Sequence, residues 1–175
     1  GFGKIYLKDF FIKITELGNS LWYFLIFGFF FSVSAILKIF ISKHQKKLNF
    51  IKKFCFSGFL YLLFSGLVTQ LLKHLFGRPR PNHTNLFESF SFDFFTTNSN
   101  FHSFPSGHAS TIFIIVLLFA TLLPKIKILF YIFALLIAIS RVVVGAHFVT
   151  DIVAGALVSI ITFKILNFIF DKKIS

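Results

Sequence analysis

The chain has 175 residues, of which 56% are hydrophobic and only 14% charged, with a formal net charge of +12. Soluble domains carry about 25% charged residues, and a chain of this size cannot hide so much apolar surface in its own core. The composition excludes an ordinary soluble globule, a disordered chain and a disulfide scaffold, and leaves an all-α integral membrane protein solvated by lipid.

Residues 4–17 read KIYLKDFFIKITEL. Leu7, Phe10, Phe11, Ile14 and Leu17 recur at helical spacing, with Lys4, Lys8, Lys13 and Glu16 between them. This pattern predicts an amphipathic helix over 1–16 lying in the membrane interface. Five apolar spans follow, at 17–37, 54–72, 105–123, 126–144 and 147–170. Each is near the ~20 residues that cross a hydrocarbon core of about 30 Å. The first is too long for a cleaved signal peptide and no small-residue cleavage site follows it. The chain opens on Gly1 and contains no Met, so a processed or engineered start is expected. Cys55, the single cysteine, sits in an apolar run where redox chemistry is not expected. One long loop, 73–104, joins the second and third spans, and the whole of 1–175 reads as one domain.

A strongly basic chain suggests a nucleic-acid partner. Here the lysines flank apolar runs, which is the pattern of membrane proteins, so no nucleic acid is expected. Lys38, Lys43, Lys46, Lys47, Lys52, Lys53, Lys125, Lys127, Lys164, Lys172 and Lys173 fall on one face of a five-span topology. Lys4, Lys8 and Lys13 fall on the other, together with Lys73, Arg78, Arg80 and Arg141. Setting those last four aside as functional candidates, the asymmetry predicts a cytoplasmic C-terminus and an extracytoplasmic 73–104 loop.

The unusual polar residues share that outer face. Lys73 and Arg80 follow the second span, Ser106, Gly107 and His108 open the third, Arg141 ends the fourth, and His147 and Asp151 open the fifth. A helix opened by PSGH at 105–108 presents free N–H groups and a dipole to an anion. Ser106 adds a hydroxyl, and Lys73, Arg80 and Arg141 add cations, two of them forked to match phosphate oxygens. His147 and Asp151 are four residues apart, hence on one helical face, where a carboxylate fixes the imidazole tautomer and leaves the other nitrogen nucleophilic. His108 is a second titrating group, suited to protonating a leaving oxygen. Singly, each has a bland reading: a snorkelling cation, an interfacial histidine, a satisfied polar pair. Ionisable residues set into apolar spans are functional candidates by default. His74, His83 and His102 share the face, so zinc is conceivable, but no metal is expected without an HExxH pattern or accompanying carboxylates.

KHLFGRPRP at 73–81, PSGH at 105–108 and SRVVVGAHFVTD at 140–151 together resemble the three-part signature of the type 2 phosphatidic acid phosphatase superfamily. Its members are membrane lipid phosphatases, soluble acid phosphatases and vanadium haloperoxidases. The resemblance covers about residues 54–165. Five predicted spans depart from the six of many membrane members, with the interfacial helix standing in for the missing one. The HSFPSGH context at 102–108 is similar to that of the bacterial lipid A 1-phosphatase branch.

The resemblance implies that His147 attacks phosphorus to form a phosphohistidine, that Asp151 orients it, and that His108 protonates the departing oxygen. It implies that Lys73, Arg80, Ser106, the Gly107 N–H and Arg141 hold the phosphate oxygens, with no metal or other cofactor. The expected partners are a lipid phosphate and the bilayer, in a bacterial inner membrane with the site facing the periplasm. Lipid A 1-phosphate is the favoured substrate, beside undecaprenyl diphosphate and phosphatidylglycerol phosphate. A phosphotransferase using the same intermediate, or a non-enzymatic lipid binder or transporter, stays open. Arg78 reads as a further cation, for a second phosphate or an acidic headgroup, or as an interfacial anchor. Ser140 is expected to bond backbone or place Arg141, and Gly145 to open a turn. Phe87, Phe90, Phe92, Phe94 and Phe95, with Glu88 and Asp93 facing water, are expected to line a lipid entrance or to cover the helix ends.

Overall fold

Asn19 supplies the first sharp boundary: its side chain accepts the Leu21 N–H at 3.1 Å and starts the first long apolar helix. The computed structural model describes residues 2–84 and 91–172. In it the chain forms α1 (Phe2–Thr15), α2 (Ser20–Phe40), α3 (Gln45–Phe76), α4 (Gly107–Leu122), α5 (Lys127–Val143) and α6 (Val149–Lys172), with no strand among the described residues. Stretches within α2, α3, α5 and α6 are long and apolar enough to cross a membrane, and α4 is a shorter apolar helix. The second apolar run, 54–72, is part of a longer helix: Gln45, Lys46, Lys47 and Leu48 are good helix formers and carry α3 back beyond it.

The short helix α4 is the centre of the bundle, packed against α3, α5 and α6. Ile112, Ile114, Ile115, Val116 and Leu118 are buried along it. Residues of α2 and α5 are buried only where they meet their neighbours; Phe29, Ile128, Leu129 and Ile132 are outward and exposed, as lipid-facing side chains are. At Gly58 of α3 an added Cβ would meet the Phe27 ring at 2.6 Å, so this glycine lets the α2 ring seat against the helix. Cys55 is buried and free.

A polar stripe runs the length of α3 at four-residue spacing: Ser57, Tyr61, Ser65, Thr69 and Lys73. Its buried hydroxyls are paired within the bundle. Thr69 Oγ1 donates to Ser110 Oγ at 2.9 Å, Ser65 and Ser110 share a bond of 2.7 Å, and Ser159 Oγ donates to the Ser110 carbonyl at 2.6 Å. Tyr61 donates to Asn167 of α6. Hydroxyls of this kind join helices where no water competes. Polar groups are therefore not confined to one end of the bundle; those deep inside are satisfied by one another.

Candidate active site

The helix α3 stops at Phe76 because Gly77 turns left-handed, at φ 52°, and returns its N–H to the Lys73 carbonyl at 3.0 Å. A Cβ there would stand 1.8 Å from the Asp93 carbonyl oxygen, so only glycine fits. Arg80 N bonds Asn100 O at 2.9 Å and Ser103 N bonds Arg78 O at 3.0 Å, folding the following segment against the start of α4. There Ser106 caps α4, its Oγ accepting the Ala109 N–H at 3.4 Å while its own N–H bonds the Asp151 carbonyl at 2.9 Å. At Gly155 a Cβ would lie 2.5 Å from Ser106 O, so glycine permits α6 to meet α4 at this level. As expected, Gly145 opens the turn after α5, at φ 75°.

Lys73, Arg80, Gly107, His108, Arg141 and His147 line one cavity of about 430 Å³. Lys73 Nζ donates to His102 O at 2.6 Å and Arg141 Nη1 to Thr15 Oγ1 at 3.0 Å. The Nε groups of both Arg80 and Arg141 are buried with no hydrogen-bond partner among the described residues. Two buried guanidinium N–H groups without acceptors, beside a helix N-terminus, are the complement of a multi-oxygen anion. Ser106 and Asp151 are fully buried and stand behind this wall. The Ser106 oxygen serves the first turn of α4, so its placement differs from the expected direct lining of the anion site.

His147 also departs from expectation. It lies in the turn before α6, which begins at Val149, rather than on the helix. Its Nδ1 bonds the Ser103 carbonyl at 2.7 Å, while Asp151 Oδ2 is 3.7 Å away, too far for a hydrogen bond. The carbonyl accepts only, so Nδ1 carries the proton and Nε2 is the free nitrogen. Burial pushes the ring from its ordinary 6.5 down to about 4, against the opposing pull of Asp151, and keeps the imidazole neutral.

Asp151 holds other partners. Arg78 Nη1 donates to Oδ1 at 2.7 Å, Ser103 Oγ to Oδ2 at 2.6 Å, and the Phe148 N–H to Oδ2 at 2.8 Å. Arg78 is buried, also donates to Thr150 Oγ1 at 2.6 Å, and stacks 4.1 Å over the Phe148 ring. Both readings of Arg78, as a headgroup cation or an interfacial anchor, are thereby corrected: its charge is engaged by Asp151. Ser103 escaped the sequence reading because a serine beside a motif carries no signal of its own.

Gly18 packs over His108, where an added Cβ would lie 2.9 Å from the histidine Cβ and Cδ2. Ser140 Oγ donates to the Ile137 carbonyl at 2.6 Å, the backbone bond expected of it. His74 and His102 lie 4.4 Å apart, bonded to the Gln70 and Thr96 carbonyls. Among the described residues no three His, Cys, Asp or Glu side chains are grouped to hold a metal. Phe92 and Phe94 touch Phe76, which meets Phe104 edge-on, and Phe92, Phe94 and Phe95 are all exposed. Phe87, Glu88 and Phe90 lie outside the described residues.

Residues 55–175 match the PAP2 superfamily. Lipid A 1-phosphatases of Rhizobium johnstonii and Rhizobium etli are 42% and 41% identical over 97 residues, 55% of this chain. The chain spans only 40% and 42% of those relatives' lengths. Phosphatidylglycerophosphatase B of Bacillus subtilis is 34% identical over 131 residues, 67% of this chain and 59% of its own. The crystal structure of a transmembrane PAP2 type phosphatidylglycerolphosphate phosphatase from Bacillus subtilis superposes with a TM-score of 0.66 at 25% identity, covering 97% of this chain and 79% of that one. Aquifex aeolicus LpxE superposes at 0.62 and 24% identity, covering 91% and 84%. With its apolar helices and these neighbours, the protein is a multi-pass membrane protein, and the chain belongs to the PAP2 superfamily.

Proposed function

We propose that this protein is a membrane lipid phosphatase, removing a terminal phosphate through a phosphohistidine on His147. The observation that carries the reading is the pair of buried guanidinium N–H groups on Arg80 and Arg141 that have no partner among the described residues, in side chains that share a cavity with a neutral imidazole. Nε2 of His147 attacks phosphorus in line as the lipid oxygen departs, and His108, brought to its protonated form by the negative charge of the bound phosphate, delivers a proton to that oxygen. Water, deprotonated by the same His108, then releases phosphate. Lys73, Arg80, Arg141 and the Gly107 N–H stabilise the charge on the equatorial oxygens, the electrostatic task that a metal performs in other sites. Ser106 supports this layer by capping α4, and Asp151 by anchoring the turn that holds His147.

The same cavity continues past the phosphate site to Phe24 of α2 and to Leu62, Leu63, Gly66 and Leu67 of α3. Leu67 is 56% exposed, and nothing lies within 4 Å of a Cβ added to Gly66. We read this opening between α2 and α3 as the route by which a lipid enters sideways from the bilayer. Phe92 and Phe94 touch Phe76 on one side and are exposed on the other, which fits both a cover over the helix ends and a lipid-facing loop. Lipid A 1-phosphate is the favoured substrate, on the relatives' names, with phosphatidylglycerol phosphate and undecaprenyl diphosphate next. The lysine asymmetry supports a site on the extracytoplasmic face, in our reading the periplasmic face of the inner membrane. The test is phosphate release from this panel in detergent micelles. Release by the unmodified protein and its loss in His147→Ala support the reading; no release from any lipid phosphate overturns it.

A further inference from the structure

The carboxylate of Asp151 is tied into a closed circuit of hydrogen bonds. It accepts from the Arg78 guanidinium and from Ser103 Oγ, and Ser103 in turn donates its backbone N–H to the Arg78 carbonyl at 3.0 Å. The one backbone acceptor that Ser103 has left, its carbonyl oxygen, receives His147 Nδ1–H at 2.7 Å. All four residues are buried, and Ser103 and Asp151 are fully so. The geometry points to Arg78 and Ser103 as positioning residues for His147: Arg78 clamps the carboxylate, and Ser103 passes that hold to the imidazole.

Two consequences follow for the chemistry. The ring is fixed as the Nδ1–H tautomer by a neutral carbonyl, and the carboxylate acts on it through Ser103 and through space. Arg78 offsets part of the Asp151 charge, which would otherwise favour a protonated, non-nucleophilic imidazole. The groups facing His147 are Lys73 of α3, Arg80 of the following segment, His108 of α4, Arg141 of α5 and Asp151 of α6. Only Asp151 among them favours the charged ring, so its neutralisation by Arg78 decides the balance on that side. Neither Arg78 nor Ser103 lines the cavity that Lys73, Arg80 and Arg141 share. This inference rests on the phosphatase reading for its kinetic arm and on geometry alone for its spectroscopic arm.

The experiment compares Arg78→Met, Arg78→Lys and Ser103→Ala with the unmodified protein in micelles. Arg78→Met is expected to lower kcat about 10²-fold, the scale of a displacement near 1 Å, with KM within about twofold. Arg78→Lys keeps the charge without the fork and is expected to recover part of the loss. Histidine ¹⁵N NMR, with His147 assigned by its disappearance in His147→Asn, should show one Nδ1–H tautomer in the unmodified protein. In Arg78→Met the same ring should titrate at higher pH, and in Ser103→Ala, which keeps the accepting carbonyl but removes a donor from Asp151, it should shift in the same direction. A purely structural role would lower the yield of folded protein and leave tautomer and titration of the folded fraction unchanged; that result overturns the proposal. A raised KM at constant kcat would make Arg78 a substrate contact and overturns it as well. If the unmodified protein released no phosphate, the phosphatase reading would fail while the NMR arm still decided this one.

Discussion

Arg141 donates to Thr15 across 126 residues of sequence, joining the last turn of α1 to the cavity wall at 3.0 Å. Thr15 is buried, and Ile14 beside it packs on the Ile112, Val116, Ala134 and Ile137 cluster. The N-terminal helix thus does more than ride the interface: it holds one of the cations proposed to bind phosphate. Replacing Thr15 with Val keeps the shape and removes the acceptor. A hydrogen bond to a charged group contributes about 1.5–3 kcal/mol, so KM should rise by about tenfold or more with little change in kcat. Steady-state kinetics with a lipid phosphate would check this, and an unchanged KM would separate α1 from substrate binding.

His147→Ala should nearly abolish phosphate release. His108→Ala should slow it by about 10²–10⁴-fold, and by less on a substrate with a good leaving group, which needs no proton. Equal losses on good and poor leaving groups would remove His108 from the role of general acid.

The pH profile follows from the burial of His147. The nucleophile must be unprotonated, and burial lowers its pKa from 6.5 to about 4. Activity should therefore persist as pH falls through 6.5 and be lost only on approaching 4. A kcat/KM profile with its acidic limb near 6.5 would show that the ring is not desolvated as described.

The two candidate entrances separate by mutation. Gly66→Phe would fill the open side of the cavity between α2 and α3, and should raise KM for a long-chain lipid while sparing a short-chain phosphate. Replacing Phe92 and Phe94 with Ser should instead lower thermal stability and affect both substrates alike, because those rings pack on Phe76. The opposite pattern would return the entrance to the loop.

Topology is open to labelling. A cysteine at Asn98, with Cys55 replaced by Ser, should react with an impermeant reagent from outside intact cells, and a reporter at the C-terminus should read as cytoplasmic. Labelling only after the membrane is broken would invert the orientation.

Much of this architecture was legible because bilayer and helix impose simple rules. Unbroken apolar runs announced the helices, and five alternating spans were enough to bring Lys73, Arg80, Arg141 and His147 to one layer. What the sequence could not carry was anything settled by the turn after α5. Periodicity placed His147 on the same helix face as Asp151, but Gly145 turns the chain and the helix starts only at Val149, two residues past His147. That shift gives the imidazole to the Ser103 carbonyl. Arg78 was misplaced for a related reason: its partner Asp151 is distant in sequence, and no local pattern records such a pairing. Thr15 and Gly18 were invisible because an amphipathic helix advertises its apolar stripe, not the residue at its end.

The central helix has one further implication, for depth. Its 16 residues span about 24 Å at 1.5 Å per residue, against about 30 Å of hydrocarbon. With α4 centred in the bilayer, the floor of the cavity at Gly107 and His108 would lie a few ångströms beneath the level at which a membrane phosphate normally meets water. A water-soluble phosphate ester reaching that floor would surrender hydration and meet the same cations, but with no acyl chain to keep it at that depth. A lipid is already anchored by its acyl chains and needs only to sink its headgroup by a few ångströms toward waiting cations. Selection for membrane substrates would then be exercised by immersion, before any contact reads the identity of the headgroup.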